Sequence, residues 1–82
     1  MISVNVKLFA MIRDLAGTGS LSIALPERST ASVLMIALFE RYPQLGAWRH
    51  HLRIAVNSEY VAEDHILKSE DEVAIIPPVS GG

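Results

Sequence analysis

Glu72-Val73-Ala74-Ile75-Ile76-Pro77-Pro78-Val79-Ser80-Gly81-Gly82 closes the chain as a strand followed by a tail that cannot be one. In an extended backbone Val73 and Ile75 share one face, and Glu72, Ala74 and Ile76 share the other. The alternation predicts a strand over 72–76 with Val73 and Ile75 toward a core. Ile76 is then left as an exposed apolar residue at the root of the tail. Pro77 and Pro78 lack a backbone N–H and fix φ, so they stop the strand and carry the chain away stiff and extended. Val79 and Ser80 are small. Gly81 and Gly82 have no Cβ, so the terminal backbone fits a slot too narrow for any side chain. The arm over 77–82 thus carries one chemical group, the α-carboxylate of Gly82, beyond a folded domain over 1–76. A carboxylate is a poor electrophile until it is activated, for example as an acyl-adenylate. The expected reactive group is the chain's own terminus. A glycine-rich end is also what a frayed tail looks like, but a floppy tail has no use for two prolines.

A last strand needs partners, and the first residues offer one. Ile2, Val4, Val6 and Leu8 alternate with Ser3, Asn5 and Lys7, the pattern of a half-buried strand over 2–9. Phe9 breaks the alternation by falling on the polar face, where it is incidental or part of a partner surface. Residues 10–17 read as one or two helical turns, with Ile12, Leu15 and Ala16 on one face and Gly17 as the stop. Arg13 in this connection is either solvated or free to meet a partner carboxylate. Leu21, Ile23 and Leu25 alternate in a second strand over 20–25, which ends at Pro26. The connection is short, so the two strands pair antiparallel.

The main helix is expected over 31–42, capped by Thr30 or Ser29. Leu34, Ala37 and Leu38, with Arg41 or Tyr42, follow helical spacing toward the sheet. Met35, Ile36 and Phe39 make this helix apolar almost all round, and such a helix is buried on more than one side. Either the 43–52 loop wraps it or the outer face meets a partner. A short strand over 53–57 follows, then a turn at Asn57-Ser58-Glu59 and a return strand at Tyr60-Val61. In the turn over 64–67, Ile66 and Leu67 are expected to plug the core. Glu70-Asp71 forms an acidic turn into the last strand.

One main helix has one sheet to cover, which makes an α+β fold. The first and last strands form the natural central pair, parallel to each other. The expected architecture is a ubiquitin-like β-grasp roll, a mixed sheet of four to five strands with one main helix.

Several function classes drop out. A chain of 82 residues makes one small domain. It has no cysteine, hence no disulfide framework, thiolate metal site or cysteine nucleophile. A net charge of −2 gives no footprint for nucleic acid. The longest apolar run, 31–39, is too short to span a bilayer, and no signal peptide is legible, so no membrane partner and a cytoplasmic location are expected. His50 and His51 are adjacent and diverge in strand or helix, and His65 is distant in sequence, so no metal is expected. The carboxylates gather in turns, where solvated charge is the default. No side-chain constellation fits catalysis.

The chain resembles the small, sulfur-carrying subunit of molybdopterin synthase, within the β-grasp group that includes the thiamine-pathway carrier. The residues that carry the likeness are Leu8-Phe9-Ala10-x-x-Arg13-Asp14-Leu15-x-Gly17, Ala55-Val56-Asn57, and Asp71 through Gly82. Pro-Pro-Val-Ser-Gly-Gly is the most specific piece, since thiamine carriers end on Gly-Gly but generally lack the double proline. Glu70 stands where the family usually has glycine, a departure that concerns turn geometry. The resemblance implies that an adenylating enzyme related to ubiquitin-activating enzymes uses ATP to activate Gly82. A sulfur donor protein then makes a thiocarboxylate. Pro77, Pro78, Val79, Ser80 and Gly81 insert into the large synthase subunit, where sulfur passes to precursor Z. It also implies a docking patch at Phe9, Tyr60 and Ile76, a heterotetrameric synthase, and no cofactor bound by this chain. Other readings of a Gly-Gly terminus are a ubiquitin-like modifier, a carrier for thiamine or cysteine synthesis, and a regulatory domain with an inert tail.

Overall fold

Strand alternation is kept residue by residue in the computed structural model, which describes residues 1–77. In β1 (Ile2–Leu8) Ile2, Val4, Val6 and Leu8 are buried and Ser3, Asn5 and Lys7 exposed. It is followed by α1 (Ala10–Ala16), β2 (Ser20–Leu25), α2 (Ala31–Arg41), a 3-10 helix (Pro43–His51), β3 (Arg53–Val56), β4 (Glu59–Tyr60) and β5 (Glu72–Ile76). The sheet order is β2-β1-β5-β3-β4. β1 pairs antiparallel with β2 and parallel with β5. β5 pairs antiparallel with β3, and β3 with β4. The parallel central pair expected from the sequence is therefore present, in a five-stranded mixed sheet.

The core lies between one sheet face and α2. Val4, Val6, Val73 and Ile75 from the central strands meet Leu34 and Leu38, all fully buried. Thr30 caps α2, its hydroxyl accepting from the Val33 N–H at 3.3 Å, as serine and threonine do at this position. Gly17 ends α1 in the left-handed region at φ 77°, and its N–H donates to the Arg13 carbonyl.

The turns explain three of the sequence signals. Asn57 and Ser58 both have positive φ, at 49° and 73°, which makes the two-residue hairpin turn whose twist suits its strands. Asn57 also ties β3 to the start of β5. Its Nδ2 donates to Asp71 Oδ1 and its Oδ1 accepts from the Glu72 N–H, each at 3.0 Å. Glu70 takes φ 69°, the left-handed conformation that a glycine adopts without strain. A Cβ there costs roughly 1–2 kcal/mol. Glu70→Gly is expected to raise stability by about 1 kcal/mol, partly offset by glycine's unfolded-state entropy. A thermal melt that moves down rather than up would show that the Glu70 side chain holds the turn.

Four expectations are corrected. The 43–52 segment is a 3-10 helix over Pro43–His51 rather than a loop. It packs on α1 and α2, buries Leu45 completely and ties to α1 through Gln44 Nε2, which donates to the Leu15 carbonyl at 2.6 Å. Leu15 is exposed, because the seven-residue α1 meets the core through Met11, Ile12 and Ala16. Ile66 is exposed too. It forms a strand-like bridge to Thr30, and consecutive residues in extended chain face opposite ways, so Leu67 goes in and Ile66 out. On α2, Met35 is buried and Phe39 packs against the core, but Ile36 and Val33 stay exposed. The outer helix face is thus half covered by its own chain.

Candidate functional site

The sheet face away from α2 is polar at one end and apolar at the other, and the apolar end is where the tail begins. Pairing places Lys7, Ala74, Ala55 and Tyr60 in one row across the strands. In the next row toward the tail, Ile76 lies opposite Arg53. Phe9 continues β1 with extended backbone, φ −125° and ψ 155°, so its ring stays on this outer face beside Ile76. Phe9 and Tyr60 are exposed by 47% and 64%, large values for aromatic rings on a sheet. Ile76 is half-buried rather than exposed, because it sits on an inner strand with neighbours on both sides.

The three residues singled out as a docking patch therefore share one face, around a floor of Ala55 and Ala74. Small side chains there keep the floor low between the larger ones. Arg53 completes the group. Its guanidinium lies over the Tyr60 ring, 5.5 Å from the centroid, where the ring's negative face attracts a cation. The sequence carried a signal for Arg53: it alternates with Ile54 and so falls on the face of Ala55, which pairs with Tyr60. The polar part of the face begins at the Lys7–Glu72 ion pair, 3.2 Å long. It continues to the Ser3–Ser22 hydroxyl pair at 2.9 Å.

Pro77 is half-buried at the end of β5. Pro78, Val79, Ser80, Gly81 and Gly82, on which the tail assignments fall, lie outside the described residues. Among the described residues no three His, Asp or Glu side chains gather as a metal site. No helix among them is long and apolar enough to cross a membrane.

A parallel β1–β5 centre in a mixed five-stranded sheet, with one main helix across one face, defines a ubiquitin-like β-grasp domain. The ThiS family model matches residues 6–82. The molybdopterin synthase sulfur carrier subunit of Dictyostelium discoideum is 42% identical over 81 residues, covering 95% of this chain and 94% of that one. That of Arabidopsis thaliana is 37% identical, covering 99% and 84%. SAMP1 of Haloferax volcanii, a small archaeal modifier protein, superposes with a TM-score of 0.88 at 29% identity, covering 98% and 99%. The chain belongs to the ThiS family of β-grasp sulfur carriers, in the group of the molybdopterin synthase small subunits.

Phe9→Ala is expected to weaken binding to a partner on this face by about tenfold, the effect of losing an aromatic anchor. It is expected to change thermal stability little, since the ring is not among the residues packed on the core. Ile76→Asp is expected to weaken binding as well, with a larger stability cost because Ile76 is half-buried. Titration calorimetry beside thermal melts checks both. A Phe9→Ala variant that binds normally but melts early would make Phe9 a core residue.

Proposed function

We propose that this chain is the sulfur-carrier subunit of molybdopterin synthase and is not catalytic alone. The observation that carries this reading is the near full-length likeness to sulfur carrier subunits, together with the Pro-Pro-Val-Ser-Gly-Gly ending. In the proposed cycle an adenylating enzyme attacks ATP with the Gly82 carboxylate and releases pyrophosphate. Sulfide-level sulfur, delivered by a donor protein and its thiol reductant, attacks the acyl-adenylate and displaces AMP, leaving a thiocarboxylate. The tail then enters the large subunit and the sulfur passes to precursor Z; two transfers complete the dithiolene. The chain contributes three things. Its terminus carries the sulfur without a cysteine. Its glycines let the backbone reach a narrow site. Its prolines lower the entropy lost when the tail is ordered. The patch of Phe9, Tyr60 and Ile76 supplies docking energy at about 25 cal/mol per Å² of apolar surface removed from water.

Intact mass after incubation with adenylating enzyme, ATP and a sulfur source tests the reading. The expected result is a gain equal to exchanging one oxygen for sulfur, localised to the Gly82 peptide. Sulfur transfer to precursor Z on adding large subunit then assigns the pathway. No gain, with a control carrier modified in the same tube, rejects it.

The likeness to a small archaeal modifier protein favours a second reading, conjugation of Gly82 to target lysines as an isopeptide. Both chemistries begin with adenylation. A denaturing gel of cell extract separates them, because only a modifier leaves ladders that survive denaturation.

A further inference from the structure

Around the edge of the sheet from the docking face, a cleft of about 260 Å³ opens between β3, β4 and α2. Met35 and Ile54 are its buried apolar floor, with the half-buried Leu52 and Val61 beside them. The exposed Arg49 and Arg53 line it, and Glu63 lies on the stretch that follows β4. Arg53 and Tyr60 belong to both surfaces, so the cleft continues the docking face round the free edge of β4.

Among the described residues the arginines of this cleft form no ion pair, although Arg53 lies over the Tyr60 ring and Glu63 lines the same cleft. The ion pairs among the described residues use Lys7 with Glu72 and the N-terminus with Glu27. Neither Arg49 nor Arg53 has a described carboxylate within 4.0 Å. Arg53 is the register partner of Ile76, the residue before Pro77, so it stands at the end of the sheet where β5 finishes. At the other end of the sheet stand Glu27, Glu59, Glu70 and Asp71. A chain of net charge −2 thus turns a basic corner toward its tail.

We propose that this cleft is a second docking site for the protein that receives the tail. It takes an apolar side chain of that partner on the Met35–Ile54 floor and an adjacent partner carboxylate between Arg49 and Arg53. The inference rests on the sulfur-carrier reading and assigns the partner as the large synthase subunit. Apolar burial holds the segment. The arginines orient the approach, since complementary charge acts mainly on encounter and register.

The test compares wild type, R49E, R49E/R53E and K68E for binding to purified large subunit at low and high salt; R49E reads the cleft alone, because Arg53 also belongs to the docking face. Both arginines are exposed, so the charge-reversed protein is expected to fold, and circular dichroism melts check this. R49Q/R53Q repeats the test without reversed charge. The expected result is about a tenfold or greater loss for R49E/R53E at low salt, with a flattened salt dependence. A smaller loss is expected for R49Q/R53Q and no change for K68E. Equal affinity and equal salt response of wild type and R49E overturn the cleft, even where R49E/R53E binds more weakly through the Arg53 it shares with the docking face. A loss toward the adenylating enzyme but not the large subunit overturns the choice of partner. Wild type that fails to bind the large subunit at all overturns the carrier reading, a result distinct from the other two.

Discussion

One residue added after Gly82 is expected to abolish sulfur transfer while leaving the melting temperature of the domain unchanged. The addition turns the reactive carboxylate into an amide and moves the new terminus by about 3.8 Å, one Cα step. Misplacement of a reacting group by as little as 1 Å costs on the order of a hundredfold in rate. The added residue's own carboxylate is presented one Cα step beyond the position of the Gly82 carboxylate, so adenylation is expected to slow as well as transfer. The core is not touched, because its last fully buried residue is Ile75. Cofactor synthesis reconstituted from purified components, with the mass of the carrier read before and after, checks this. An extended carrier that supports synthesis without being trimmed sinks the claim.

Leu34→Ala is expected to have the largest effect on stability. Leu34 is fully buried on the sheet-facing side of α2. Its truncation is expected to cost about 2–5 kcal/mol through lost burial and the cavity left behind. Domains of this kind hold only about 5–15 kcal/mol in all. At roughly 4–8 °C per kcal/mol, the melt moves down by on the order of ten degrees or more. Ile36→Ala on the same helix is the control: Ile36 is 49% exposed, and a change of about 0.5 kcal/mol is expected. A control that costs as much as Leu34→Ala would mean that another molecule covers the outer face in solution.

Strand signals were legible in the sequence because they are local. Alternation in 2–8, 20–25 and 72–76 needs no knowledge of the rest of the chain, and the Asn57-Ser58 turn declares itself by residue type. The helix cap at Thr30 was legible for the same reason. The 3-10 helix was not. It has three residues per turn and no recurring apolar stripe, and it exists because Leu45 is swallowed by a core built elsewhere. Ile66 was misplaced because two adjacent apolar residues look equivalent until a distant strand of backbone, at Thr30, decides which faces in. Of the proposed docking patch, Phe9 was legible as a misfit, an aromatic residue on a polar face. Its companion Arg53 shares a face with Ala55 by simple alternation, but its meeting with Tyr60 and Ile76 needed the register of three strands. The cleft was invisible, since Arg49, Tyr60 and Met35 meet only through tertiary packing.

The place of β5 between β1 and β3 has a consequence for how the molecule is made. β1–β2 and β3–β4 are hairpin-like halves with no backbone bonds to each other until β5 slides between them. A nascent chain leaves the ribosome at about 5–20 residues per second, N-terminus first. The strand that joins the halves therefore arrives after both of them. Until it does, the inner edges of β1 and β3 stay open, and long-range parallel pairing of this kind is slow. Any chain cut short before β5 lacks the joining strand and Gly82 together, so an unfinished molecule has neither a complete sheet nor the terminus on which the proposed cycle depends.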